Sequence, residues 1–239
     1  MIFRLSSLMS KLTFLLIVVF ILPCPLFSKN LTGTLYEISP EPQKALYRWE
    51  MTLTPIGLPW KSVYKTLDGV VVARDEVIWH GDSFQGYRYE RTTINDQGVV
   101  TVDKQTVHFL HTMNGKQKKS KETLVGNFTT GPMVIVYILD HWEELLQGEE
   151  QAIRYGVIDQ TSSFGFVLSH DTSHVKNGSG YVVFKMDADS FLIGFFVDPI
   201  YFIFREKNRE MTGMIGRMLP VGVNEDGAYP INAELVISR

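Results

Sequence analysis

From Ala45 onward the chain alternates. Tyr47, Trp49, Met51 and Leu53 share one phase of Ala45–Thr54, and Arg48, Glu50, Thr52 and Thr54 share the other. That is the pattern of a β-strand with one dry and one wet face. Trp60–Leu67, Val70–His80, Phe84–Ile94, Val99–Asp103 and Gln105–Met113 continue it. Asp68-Gly69, Gly81-Asp82, Asp96-Gln97-Gly98 and Asn114-Gly115 separate these runs as turn signals. Connections this short predict antiparallel neighbours, because parallel strands need long crossovers. Lys116–Lys121 is a basic stretch that reads as a solvated edge, discouraging edge-to-edge aggregation.

The period changes once. Gly131-Pro132 opens Met133–Gln147, where Val136, Leu139, Trp142, Glu143 and Leu146 recur at spacings of three and four. Pro132 suits a first helical turn and Gly148 a stop, so one amphipathic helix is predicted. Strands resume at Gln151–Ile158, Phe164–Ser169, Gly180–Asp187, Ile200–Arg205 and Glu210–Leu219, with Pro220 to Pro230 read as a loop and Ile231–Ile237 as a last strand. No internal repeat or linker divides residues 29–239, which read as a single β-rich domain. About ten antiparallel strands and one mid-chain helix predict a mainly β fold: a curved antiparallel sheet wrapped as a half barrel around one central α-helix, with a closed lipocalin-like barrel as the other architecture.

Residues 1–28 differ in character. Arg4 and Lys11 precede the apolar run Leu12–Leu22, which Pro23 and Pro25 break. A basic start, a short apolar run and a small-residue exit at Ser28 are the parts of a secretory signal peptide, and the run falls short of the roughly 20 apolar residues of a bilayer span. Two other fates remain open, retention as an anchor and acylation at Cys24. Against acylation, Pro23 stands where a lipobox needs a small residue, and its fixed φ distorts the segment the peptidase reads. The expected destination is export, to a periplasm or cell envelope. Cys24 is the single cysteine, so cleavage after Ser28 leaves neither disulfides nor thiol chemistry, and stability must come from the core.

Composition narrows the function classes. With 45% hydrophobic and 21% charged residues in 239, the chain is neither low-complexity nor a multi-pass membrane protein. A net charge of -3, from 23 basic and 26 acidic residues, lacks the basic footprint of a nucleic-acid binder.

Tyr137–Gly148, a strand around Ile153–Ile158, Ser163-Phe164-Gly165-Phe166 and the Asp198-Pro199-Ile200-Tyr201 stretch of Phe191–Phe204 together resemble a group of uncharacterised exported bacterial proteins. The likeness covers about Leu124 to Gly213, well under half the chain. It implies a fold similar to the lipoprotein-carrier half barrel, whose concave side can hold acyl chains. It supplies no catalytic residues.

Three constellations invite chemistry. Gly81-Asp82-Ser83 and Asp171-Thr172-Ser173-His174 match fragments of GDS-type esterases, with Ser83 as nucleophile and His174 as base. Ser83, however, lies between two strands rather than between a strand and a helix, so Gly81-Asp82 reads as a hairpin turn. His108 and His111 are three apart and face opposite sides of a strand, and His170 and His174 lie in a polar loop, so no metal site is expected. Glu143-Glu144 and Glu149-Glu150 read as the wet face of a helix end.

The most unusual segment is Phe191–Phe204, in which every residue but Asp198 and Pro199 is apolar or glycine. It is either ordinary core or a flap that lines an apolar cavity or touches a membrane. The expectation is therefore a non-catalytic, cofactor-free exported protein binding a lipid or other apolar ligand through Trp49, Met51, Trp142, Phe191, Phe195 and Tyr201, with peripheral membrane contact open to it. A cavity-free structural domain contacting an envelope protein is the alternative, and an esterase the third reading.

Overall fold

The computed structural model describes residues 29–38, 43–190 and 197–238. The expected signal segment 1–28, with Cys24, and the two expected site residues Phe191 and Phe195 lie outside them. The fold is mainly β. One arm of the chain carries β1 (Asn30–Glu37), β2 (Ala45–Leu53), β3 (Pro59–Lys65), β4 (Val71–His80), β5 (Ser83–Arg91), β6 (Asp96–Asp103), β7 (Thr106–Met113) and β8 (Lys116–Thr123). The other carries β9 (Phe128–Thr129), α1 (Met133–Asp140), α2 (Trp142–Leu146), β10 (Gln151–Val157), β11 (Ser162–His170), β12 (Tyr181–Ala188), β13 (Ile200–Arg205), β14 (Met211–Asn224) and β15 (Gly227–Ser238).

All fifteen strands belong to one sheet, ordered β8 to β1, then β15 to β9. Every neighbour is consecutive in the chain except β1 and β15, which pair antiparallel from Thr32↔Ser238 to Glu37↔Ala233. The sheet is mixed rather than purely antiparallel, because β9 runs parallel to β10. Nor is it closed: among the described residues no backbone ladder joins β8 to β9, the two outermost strands. It nevertheless folds back on itself. β14 touches β4 and β5 although β15, β1, β2 and β3 separate them in the sheet, and Arg91 Nε on β5 donates to the carbonyl of Leu219 on β14 at 2.9 Å.

The predicted alternation sorts the two faces. On the outer face of the first arm Lys61, Glu76 and Arg88 stand opposite one another on β3, β4 and β5. Lys61 pairs with Glu76 at 3.4 Å, Arg88 pairs with the same carboxylate, and Arg74 pairs with Glu90 at 2.9 Å. Exposed pairs of this kind set register more than they stabilise. On the inner face Trp49, Met51, Tyr64, Ala73, Val77, Tyr87, Val100, Val107 and Phe109 are buried.

The predicted single helix is two. α1 ends at His141 (φ -110°, ψ 28°), whose ring donates to the Tyr137 carbonyl at 3.0 Å and stacks on the Tyr137 ring at 4.0 Å. The buried stripe still runs through the break, as Val134, Ile138, Trp142 and Leu145. It is rotated from the expected one, leaving Leu139 exposed, because a segment apolar nearly all round does not reveal which side is covered. The stripe packs on Ile153, Phe166, Phe184, Phe202 and Phe204 of β10–β13.

Three other expectations are corrected. Pro220 to Pro230 is strand and hairpin, not loop: β14 runs to Asn224, with a register shift between Arg217 and Val221, and prolines are admitted to a sheet at such irregularities. Asp96-Gln97-Gly98 is the start of β6. The turn falls earlier, in the 3-10 turn Thr92–Ile94 and the left-handed Asn95 (φ 48°, ψ 50°). The same device returns between β10 and β11 as Ile158–Gln160 and Thr161. The strand total is fifteen rather than about ten.

Candidate functional site

Between the arms of the sheet lies a cavity of about 670 Å3, its walls drawn from β2, β3, β4, β5, α1 and β10 to β15. That is within the range of small-molecule sites. Most of the lining is apolar or aromatic: Trp49 and Met51 from β2, Val134 and Ile135 from α1, Phe164 and Phe166 from β11, Met186, Ile200 and Phe202, and Met211, Met214 and Met218 from β14. Flexible thioethers and aromatic rings make an apolar surface that adapts to shape.

A buried acid sits in this wall. Asp75 falls in the inward phase of β4, between Ala73 and Val77, with Ser62 opposite it on β3 and Tyr89 opposite it on β5. It is 8% exposed, and its Oδ1 has no hydrogen-bond partner. Burial raises its pKa to about 6, against the pull of Ser62 and Tyr87, which favour the carboxylate. Tyr64, Tyr87 and Tyr155, from β3, β5 and β10, also line the cavity. Burial raises the pKa of all three above the ordinary phenol, and the Asp75 charge adds to it. They stay neutral, with hydroxyls available as donors.

Arg91 and Arg217 bring positive charge to the same wall. Arg91 Nη1 lies 2.8 Å from Asp96 Oδ2 and 3.8 Å from Asp159 Oδ2. The other Asp96 oxygen lies 2.7 Å from His111 Nε2, with both side chains buried. Arg217 also lines the cavity without an ion pair among the described residues; desolvation lowers its pKa, with Asp159 and Asp198 acting against the shift and Arg91 adding to it.

Of the expected site residues, Trp49 and Met51 line the cavity together. Trp142 does not: it is buried in the second arm, edge-on to Phe184 at 5.0 Å and to Phe204 at 5.5 Å. Tyr201 lies at a separate recess with Glu37, Ile38, Asp198 and Pro199, its ring 4.9 Å from His174. The described part of the Phe191–Phe204 segment divides. Val197, Ile200 and Phe202 face the cavity, while Ile203 and Phe204 are buried. Asp75 and the tyrosines were missed, although a signal existed: an acid in the dry phase of an alternating strand, flanked by Arg74 and Glu76 in the wet phase.

The residues of the candidate catalytic constellations lie in turns and strands. Gly81 (φ 58°) and Asp82 form the two-residue turn between β4 and β5. Asp171 Oδ1 accepts from the Ser173 and His174 backbone N–H groups at 3.0 and 3.2 Å, closing a turn around itself. His108 is exposed and His111 buried, on opposite faces of β7. Among the described residues no three His, Cys, Asp or Glu side chains are grouped to hold a metal, and no helix is long and apolar enough to cross a membrane.

Comparison of the chain with protein-family models, with curated proteins and with solved structures finds no significant match.

Proposed function

We propose that this chain is an exported, non-catalytic carrier or sensor of an apolar ligand, held inside a half barrel whose curved sheet wraps around the α1–α2 segment. The observation that carries the reading is the cavity itself. A volume of about 670 Å3 walled by Trp49, Met51, Phe164, Phe166, Phe202 and four further methionines suits an acyl chain or a comparable apolar body. The apolar run ahead of Ser28 supports export, and the likeness of Tyr137–Gly148 and its downstream motifs to uncharacterised exported proteins supports the same compartment, a periplasm or cell envelope.

Native mass spectrometry of the protein purified from its own host's envelope, followed by lipid extraction, tests this. A stoichiometric extra mass that extracts as lipid is expected. A bare chain that also fails to bind the neutral fluorophore N-phenyl-1-naphthylamine would overturn it and leave the envelope-interaction reading in its place.

A further inference from the structure

Resting on the cavity reading, we propose that the ligand is an organic ammonium with an apolar body, its N–H groups meeting the carboxylate of Asp75. The first support is an unmet need. Asp75 is more than nine-tenths buried, one of its oxygens accepts nothing, and it lines the cavity. Buried carboxylates ordinarily have every lone pair engaged and a cation beside them. Among the described residues no Lys, Arg or His lies within ion-pair distance of Asp75, whereas the equally buried Asp96 has both Arg91 and His111. The two aspartates stand on adjoining parts of one inner face, and only the one that faces the cavity lacks its counter-charge.

The second support is the surroundings. Tyr64, Tyr87 and Tyr155 approach from three strands, and the faces of aromatic rings attract cations once water is excluded. A hydroxyl headgroup could donate to the carboxylate but would leave its charge uncompensated. A carboxylate headgroup would repel it. Of the arginines at the cavity, Arg91 is engaged by Asp96 and Asp159 and offers an anion little; Arg217 makes no ion pair among the described residues and is a competing cation in the wall, whose pull the binding of dodecanoate reads. The ligand's apolar body then lies along Trp49, Met51 and the methionines of β14.

Displacement of N-phenyl-1-naphthylamine by dodecylammonium, dodecanol and dodecanoate at pH 7.5, on the wild-type chain and on Asp75→Asn, tests the proposal. The expected result is that wild type prefers dodecylammonium to dodecanoate by about tenfold or more, the scale of a charge-assisted hydrogen bond. Asp75→Asn is expected to lose that preference while still binding the fluorophore. Wild-type affinities for the three chains within about threefold, or an ammonium preference that survives Asp75→Asn, would overturn the headgroup assignment and leave the apolar cavity standing. Failure of the fluorophore and all three chains to bind wild type would overturn both. The wild-type comparison decides the matter even where the variant does not fold.

Discussion

Glu122 on β8 takes hydrogen bonds from Ser163 on β11, from its backbone N–H at 3.1 Å and from its hydroxyl, and a third from the Ser162 hydroxyl at 2.6 Å. Ser120 donates to the carbonyl of Thr161 beside it. β8 and β9 are the free ends of an otherwise continuous sheet, and these contacts fasten one end to the hairpin that follows the other. At this seam side-chain bonds through Glu122 and Ser120 stand where a barrel would have used a backbone ladder.

Glu122→Ala is accordingly expected to lower stability by about 1–3 kcal/mol, since Ser163 is buried and would lose its acceptor. Burial opposes ionisation of Glu122, but the bonds from Ser162 and Ser163, with the Arg154 charge, outweigh it and hold its pKa below the usual value. The sign follows: the contribution is present above the unfolded pKa and is lost as pH falls through the lower folded one. Urea unfolding of both chains at pH 7 and pH 3 checks it. Equal midpoints at pH 7 would mean the seam is held by other contacts.

Asp75 titrates in the opposite sense. Its folded pKa, about 6, is above the ordinary 3.8 because burial disfavours the charge. The ligand-free native state therefore carries no penalty below about pH 4, gains it as pH rises to 6, and bears it fully above that. A shift of this size corresponds to roughly 3 kcal/mol at most. Asp75→Asn should stabilise the empty protein at pH 7 by roughly 1–3 kcal/mol, with the gap closing at pH 4. Denaturation midpoints at pH 4, 5.5 and 7 measure it; a gap independent of pH would show that Asp75 is ionised alike in both states. A residue that weakens the empty fold fits a binding role.

Much of this was legible in the alternation. The Tyr47–Leu53 phase placed Trp49 and Met51 on the inner face, and the turns at Asp68-Gly69, Gly81-Asp82 and Asn114-Gly115 fall between strands as read, with Gly69 and Gly115 in positive φ. What failed did so for identifiable reasons. Pro220 and Pro230 look like breakers, yet Pro220 falls within a register shift and Pro230 pairs with Val221 at its edge. Asp96 looks like a turn residue because its partners Arg91 and His111 are five and fifteen positions away, and only the fold brings them together. Trp142 at the centre of a helix reads most simply as core, yet a cavity uses the same side chains. β1, the strand that joins the two arms, was not read at all: its Leu31, Gly33 and Leu35 alternate with Thr and Asn, too weakly apolar to stand out.

The two tryptophans separate core from cavity experimentally. Trp142 is wedged between Phe184 and Phe204, so Trp142→Ala should cost about 3–5 kcal/mol. Of the 4 tryptophans, Trp49 alone lines the cavity. Trp49→Phe should fold, bind, and lose the change in intrinsic fluorescence that an apolar ligand produces in wild type. A ligand response that persists in Trp49→Phe and vanishes in a folded Trp142→Phe would place binding in the second arm instead.

Gly98 sets how deeply the Ile158–Gln160 turn enters the first arm. It stands on β6 between Tyr89 and His111, and a Cβ there would lie 2.4 Å from Ile158 Cγ2 and 2.9 Å from the Tyr89 ring. Ile158 is buried with Tyr87, Tyr89, Val100 and Phe109, and both it and Asp159 line the cavity. Gly98→Ala should therefore destabilise by about 1–3 kcal/mol through overpacking. Ile158→Ala should destabilise on its own by about 2–5 kcal/mol through the space it empties. Combined, the two should cost less than their sum by about 1 kcal/mol or more, because the new methyl fills part of the vacated volume. Calorimetry on the four chains of the cycle measures the difference. Strict additivity would mean that β6, not the turn, yields to the methyl, and that the depth of the cavity wall is fixed by something other than this glycine.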